Sequence, residues 1–339
     1  MVTGWVGKVA RRYRRRANEL LDPVIGAAGR VRAMVPAIRE VHRGERTEGA
    51  RHAVYVHYDR WGVVHDYIHH AVRELADNGY LVTFVSNAPR LERIQIEPLL
   101  PMVREVVHRR NVGYDFAAYR DGIARLGDLD RVERLILVND SVYGPVYPLS
   151  SILHAAEVKD ADAVGITDSW EHHYHLQSYF MMFFPGALRS RAFQRFWRNF
   201  PTVGAKKWVI RNGELKLSNV LARSKLRLAA LCPYREVARQ VLQRLSEAGL
   251  SASGDGSSNV KYEAAYQEIL RSRIVSGAAL NPSHYFWDTL IVDWQCPFLK
   301  RELIAWNPAG VPRAWDWEEL LRARTSYDTN LIVRHLQSL

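Results

Sequence analysis

The chain has 339 residues, is 47% hydrophobic and 11% aromatic, and carries a formal charge of +11. That is enough apolar material for a sizeable core, which excludes bulk disorder, and no apolar run is long enough to span a membrane. Two cysteines, Cys232 and Cys296, make neither a zinc pattern nor a disulfide framework, and they suit a reducing cytoplasm.

The positive charge is concentrated at the start. Residues 1–50 hold eleven Lys or Arg against five acids, more than half of the net charge. The N-terminus is charged from Lys8 onward and has no apolar signal core, so it does not read as a secretory signal. On a helical wheel Val2, Trp5, Val9 and Tyr13 share one face, and Lys8, Arg11, Arg12 and Arg15 lie opposite. Residues 1–24 therefore read as a basic amphipathic helix. It suits an anionic membrane surface, or a packed helix with its arginines in solvent. The interleaved aromatics that single-stranded nucleic acid needs are missing, so no nucleic-acid partner is expected.

Further along, "HAVYVHYD" at 52–59 reads as a buried strand, and "VVHDYIHHAVRELADNG" as a helix ending near Gly79. "YLVTFVSNAP" and "VREVVHRRN" read as two more strands. "NVGYDFAAYRDGI" at 111–123 follows, an apolar helix over Phe116–Leu126 with Asp115 as its N-cap. "VERLILVNDS" and "DAVGITDS" read as further strands, and "NGELKLSNVLARSKLRLAAL" at 212–231 as a helix with Glu214 in its first turn. "FQRFWRNF" reads as an aromatic core helix and "SASGDGSSN" at 251–259 as a linker. This alternation predicts an α/β fold, a mostly parallel sheet flanked by helices, with a helical C-terminal part. The expected organisation is a basic amphipathic helical segment at 1–50, a ligand-binding domain at 51–232 and a mainly helical part at 233–339.

Polar clusters follow the strands: His57, Tyr58 and Asp59; Ser86 and Asn87; Asn111, Gly113 and Asp115; Asn139, Asp140 and Ser141; Asp168 and Ser169. Ligands of open α/β sheets bind at the carboxyl ends of the strands. Turns favour the same residue types, but repetition along one edge points to a cleft. His172, His173 and His175 crowd together without a second cluster of metal ligands.

Taken in order, "HYD", "VSN", "NVGYDFAAYRDGI", "LVNDSVYGP", "HLQSYF", "NPSHYFWD" and "PFLKREL" resemble the rhamnan synthesis protein F family, bacterial glycosyltransferases of cell-surface polysaccharide assembly. The resemblance runs from about residue 52 to about residue 335. It extends to nucleotide-sugar glycosyltransferases of the GT-A (Rossmann-like) fold, and it implies site roles. Tyr58, Asp59 and Asn87 would hold the nucleotide. The stretch carrying Asn111, Gly113, Asp115, Arg120 and Asp121 is similar to N-x-G-x-x-x-A-x-N-x-G, one residue longer. "NDS" stands where such enzymes carry D-x-D, so Asp140 would hold Mg²⁺ or Mn²⁺, helped by Asn139 and Ser141. Glu214 matches the catalytic base, with Asp168 second, and His175, Gln177 and Ser178 would contact sugar.

Glycosyl transfer needs these kinds of group: positive charge on the leaving diphosphate, a carboxylate for the acceptor proton, and polar partners for the sugar. Arg120, Lys206 or Lys207 would supplement the charge. The resemblance implies dTDP-L-rhamnose as donor and inversion; a lipid-linked or growing glycan as acceptor would explain the basic N-terminus, which would keep the enzyme at the inner face of the cytoplasmic membrane. A non-catalytic nucleotide- or glycan-binding scaffold is the rival, favoured by the absence of D-x-D.

Overall fold

The computed structural model describes residues 21–32, 34–251 and 258–339, so most of the expected 1–24 anchor and of the 251–259 linker lies outside the described residues. Strands β1 (Ile38–Arg43), β2 (Arg51–His57), β3 (Leu81–Ser86), β4 (Glu105–Arg109) and β5 (Arg134–Asn139) are followed by β6 (Val142–Tyr143) and β7 (Ala163–Ser169). Then come β8 (His175–Leu176), β9 (Phe180–Phe183), β10 (Leu228–Cys232) and β11 (Leu299–Lys300). The main sheet runs β1-β4-β3-β2-β5-β9-β7-β10, with β8 on β7, and β11 pairs with β6. β4, β3, β2 and β5 are parallel neighbours, as are β7 and β10. β1 and β9 run antiparallel to their neighbours. The order departs from β2 to β3 on one side and resumes with β5 on the other, so the topological switch point lies between β2 and β5.

The strands are apolar on both faces because both are covered, as parallel sheets require. Side chains alternate between two cores. Ala53, Tyr55, Val82, Phe84, Val106, Ile136 and Val138 pack with the helix Asp66–Asp77. Val54, Val56, Val85, Val107, Leu135 and Leu137 pack with the helix Tyr114–Ala124 and the aromatic helix Arg191–Arg198. The C-terminal helices join the first core through Val237, Leu270, Leu290, Leu303, Leu321 and Ile332. The helical part therefore shares a core with the sheet. Cys232 and Cys296 are free, buried and in thiol contact.

Two expectations need correction, and one strand falls in a stretch with no expected element. The helix over 212–231 ends at Arg223, and Leu228–Cys232 is strand β10 beside β7. Lys225 takes φ 63°, which breaks the helix, and the short apolar run "LAALC" fits a buried strand as well as a helix. Phe180–Phe183, unassigned in the sequence, is β9, wedged antiparallel between β5 and β7. β1, which falls in the expected N-terminal segment, is an edge strand of the sheet.

Candidate active site at the carboxyl edge of the sheet

The motif at 111–123 turns from β4 into a helix whose cap is Gly113 (φ 80°), followed by Tyr114 at φ 51°. Both φ values are left-handed, a conformation glycine adopts without steric cost. Asp115 is therefore not the N-cap. It stands in the first turn and faces the sheet, where it accepts a hydrogen bond from Asn139 Nδ2 at 3.2 Å. Burial pushes the Asp115 carboxyl up to about 6; Asp140 and Glu214 reinforce the shift, and Lys300 and Lys206 oppose it. The helix lies hard on the sheet at Gly122, where an added Cβ would meet Val54 Cγ1 at 2.4 Å.

At the end of β5, Asn139 Oδ1 accepts from the Ser141 N–H at 3.1 Å and from Ser141 Oγ at 2.5 Å. Asp140 Oδ2 accepts from the Tyr58 N–H at 2.9 Å, which ties the ends of β2 and β5 together across the switch point. Arg301 Nη1 lies 3.3 Å from the same oxygen and also donates to the Asp140 carbonyl at 2.7 Å and to Tyr67 Oη at 2.9 Å. Lys300 precedes it in β11, paired against Val142. Its Nζ donates to Ser141 Oγ at 3.1 Å and sits 5.0 Å above the Tyr179 ring. Burial pulls the Lys300 ammonium below its usual range, resisted by the charges of Glu214 and Asp115.

Glu214 does not begin a helix. The helical course starts at Lys206 and passes through a π-helical turn, Ile210–Leu215, before continuing to Arg223. Such turns are frequent at functional sites. Gly213 packs against the Phe116 ring, which presses this turn onto the helix carrying Asp115. Glu214 Oε1 accepts from the Ser178 N–H at 2.8 Å, and Tyr119 Oη donates to the Ser178 carbonyl at 3.1 Å. Asp115, Asn139, Asp140, Ser141, Ser178, Glu214, Lys300 and Arg301 thus form one charged patch.

Other expected residues are engaged elsewhere. Buried Arg109 binds Asn87 Oδ1 at 2.5 Å and Asp121 at 2.9 Å, and Asp121 also pairs with Arg120. This network braces the helix against β3 and β4. Asp59 accepts the N–H groups of Trp61 and Val63; these bonds and His65 hold its carboxyl well below its usual range despite burial. Tyr58 is 41% exposed and Asn111 is exposed. Asp168 accepts the Tyr234 N–H at 2.5 Å, and its carboxyl is raised by burial against that bond. His175 Nδ1 meets the His173 carbonyl, and Gln177 bridges Thr167 and Asn281. Lys300, Arg301 and Arg109 were not singled out in the sequence; adjacent Lys and Arg inside the apolar stretch "CPFLKRELIAW" were the available signal.

Asp140 has a single acid's worth of ligands to offer a cation, and that carboxylate is already shared by Arg301 and the Tyr58 N–H. Among the described residues no group of three His, Cys, Asp or Glu side chains converges as metal ligands. The donor set at Asp140 does not fit a divalent ion.

Residues 82–241 match the model of a family described as rhamnan synthesis protein F. Over that stretch the chain is similar to the rhamnan synthesis protein F family. The family stretch carries Asp115, Asn139, Asp140 and Glu214, whereas Tyr58, Lys300 and Arg301 lie outside it. The uncharacterized protein y4gN of Sinorhizobium fredii (strain NBRC 101917 / NGR234) is 32% identical over 152 residues, 43% of this chain and 39% of that protein. The virulence protein VirA of Vibrio anguillarum is 26% identical over 284 residues, 82% of this chain and 86% of that protein. The chain thus spans well under half of the first relative and most of the second. Among solved structures, the apo WbbM bifunctional glycosyltransferase aligns with TM-score 0.33 and 10% identity over 55% of this chain and 39% of that one. A mannosyltransferase, PcManGT from Pyrobaculum calidifontis in complex with GDP-Man and Mn²⁺, aligns with TM-score 0.36 and 10% identity over 95% of this chain and 88% of that one. Superpositions this loose carry no argument.

Proposed function

We propose that the protein is a GT-A-like glycosyltransferase that moves a sugar from a nucleotide donor to a hydroxyl of a lipid-linked or growing cell-surface polysaccharide. The observation that carries the reading is the charged patch at the β2/β5 switch point, built largely from the family stretch. L-Rhamnose from dTDP-rhamnose, transferred with inversion, is the donor that the family description favours.

Glu214 is the base. It removes the proton of the acceptor hydroxyl as that oxygen bonds to the anomeric carbon, and the bond from that carbon to the diphosphate oxygen breaks with its electron pair leaving on the diphosphate. The Ser178 N–H orients the carboxylate through one oxygen. Asp168, committed to the Tyr234 N–H, is the weaker candidate. Asp115 and Asn139 supply polar partners for the sugar, and Tyr58 presents an exposed ring at the nucleotide side.

Transfer from dTDP-rhamnose to a lipid-linked glycan, read by radiolabel, tests the proposal. Glu214→Gln lowers the rate by about a hundredfold or more while donor binding persists. The scaffold reading draws support from the Asp140–Arg301 pair in place of D-x-D. It requires that wild-type protein transfer no sugar from any donor tested and that Glu214→Gln leave glycan binding and cellular function intact.

A further inference from the structure

We infer that the donor's diphosphate is held by Lys300 and not by a divalent cation, so that the site works without metal. The inference rests on the donor reading above and goes beyond it.

A divalent cation at this edge needs carboxylate charge that a protein cation has not already neutralised. Asp140 Oδ2 takes the Tyr58 N–H and lies 3.3 Å from Arg301, so the charge of the one acid at this strand end is already balanced. Asp115 and Glu214 each spend one oxygen, on Asn139 Nδ2 and the Ser178 N–H, and among the described residues no three acids converge as ligands. The cation side is the reverse. Lys300 has no carboxylate within ion-pairing distance among the described residues. Its ammonium carries three donors, of which Ser141 Oγ takes one. A lysine in that state is a point charge suited to phosphate.

Placement supports the same assignment. Ser141 stands at the carboxyl end of β5, beside the switch point where α/β sheets bind their ligands. The pairing of β11 with β6 fixes the backbone of Lys300, and Arg301 is anchored on both sides of Asp140 by its carbonyl and carboxylate. The lysine is therefore held at the carboxyl edge of the sheet.

The test is calorimetric titration of the whole chain with dTDP, UDP, GDP and CDP, each in EDTA and in Mn²⁺. Wild type, Lys300→Met and Lys300→Arg are compared, with the corresponding nucleosides as phosphate-free controls. We expect one diphosphate to bind equally in EDTA and Mn²⁺, within about twofold. Lys300→Met weakens it by about tenfold to a hundredfold, Lys300→Arg recovers part of the loss, and nucleoside binding is unchanged. A lysine with only a structural role would weaken nucleoside and diphosphate alike. Diphosphate binding that requires Mn²⁺, or that survives Lys300→Met, overturns the inference and leaves the donor reading standing. Absence of diphosphate binding to wild type in either buffer overturns both. The wild-type comparison of EDTA with Mn²⁺ decides the metal question even if Lys300→Met fails to fold.

Discussion

Asp115 shows how one residue sets function against stability. Its carboxyl titrates at about 6 in the fold, above the ordinary 3.8, because burial and then Asp140 disfavour the anion. The folded state thus binds more protons than the unfolded state between those values, and stability falls as pH rises from about 4 to about 6. Asp115→Asn removes that loss and keeps a partner for Asn139. The variant should gain about 1–3 kcal/mol over wild type at pH 7.5 and little at pH 4, by urea denaturation, while losing activity. An equal gain at both pH values would show that the carboxylate is not the source. Asp115, Asn139 and Asp140 could be read as one edge cluster because each follows a strand or opens a helix, whereas Glu214 was read at a helix start that the structure does not have. Lys300 and Arg301 were not, since nothing local records that β11 will pair with β6. The destinations of Asn87 and Asp121 were equally hidden, because their partner Arg109 reads as an ordinary strand residue.

Between elements, the decisive contact is the one that seats the Asp115 helix on the sheet. A Cβ at Gly122 would lie 2.4 Å from Val54 Cγ1 and 3.2 Å from Val85 Cγ2. Gly122→Ala should therefore destabilise by about 1–3 kcal/mol, although alanine is the better helix former. Val54→Ala combined with it should cost less than the sum of the two, since the deleted methyls make the room. Strict additivity in a double-mutant cycle would place the strain elsewhere. The strands β2, β3, β4, β5 and β7 could be read from apolar runs bounded by polar residues. β9 and β10 could not, because short apolar runs carry no period that separates a buried strand from a helix, and the vacancies beside β5 and β7 decide their fate. The π-helical turn at Glu214 was invisible for a similar reason: it depends on Gly213 packing against Phe116.

Over the whole molecule, no helix among the described residues is long and apolar enough to cross a membrane. The helix at 21–32 packs on the body through Gly26 and Gly29, and Asp22 binds Arg211 and Asn212. Leu21, Val24 and Val31 stay exposed, beside exposed Arg30 and Arg32. This outward face extends the basic amphipathic pattern that residues 1–20 show in sequence, a pattern suited to an anionic surface. Deleting residues 2–24 should abolish co-sedimentation with vesicles rich in anionic lipid and leave dTDP binding intact. Unchanged sedimentation would end the anchor proposal.

The β11–β6 pairing also sets a timetable. Asp140 and its arginine are separated by about 160 residues of chain. A ribosome adding about 5–20 residues per second leaves the carboxylate without that partner for on the order of ten to thirty seconds. During this interval an unpaired acid would have to be buried at the end of β5, which is costly, so the carboxyl edge of the nascent sheet stays wet and open. The cleft closes only when the last fraction of the chain arrives. A chain that stops before Leu299 carries Asp140 at this edge without Lys300 and Arg301.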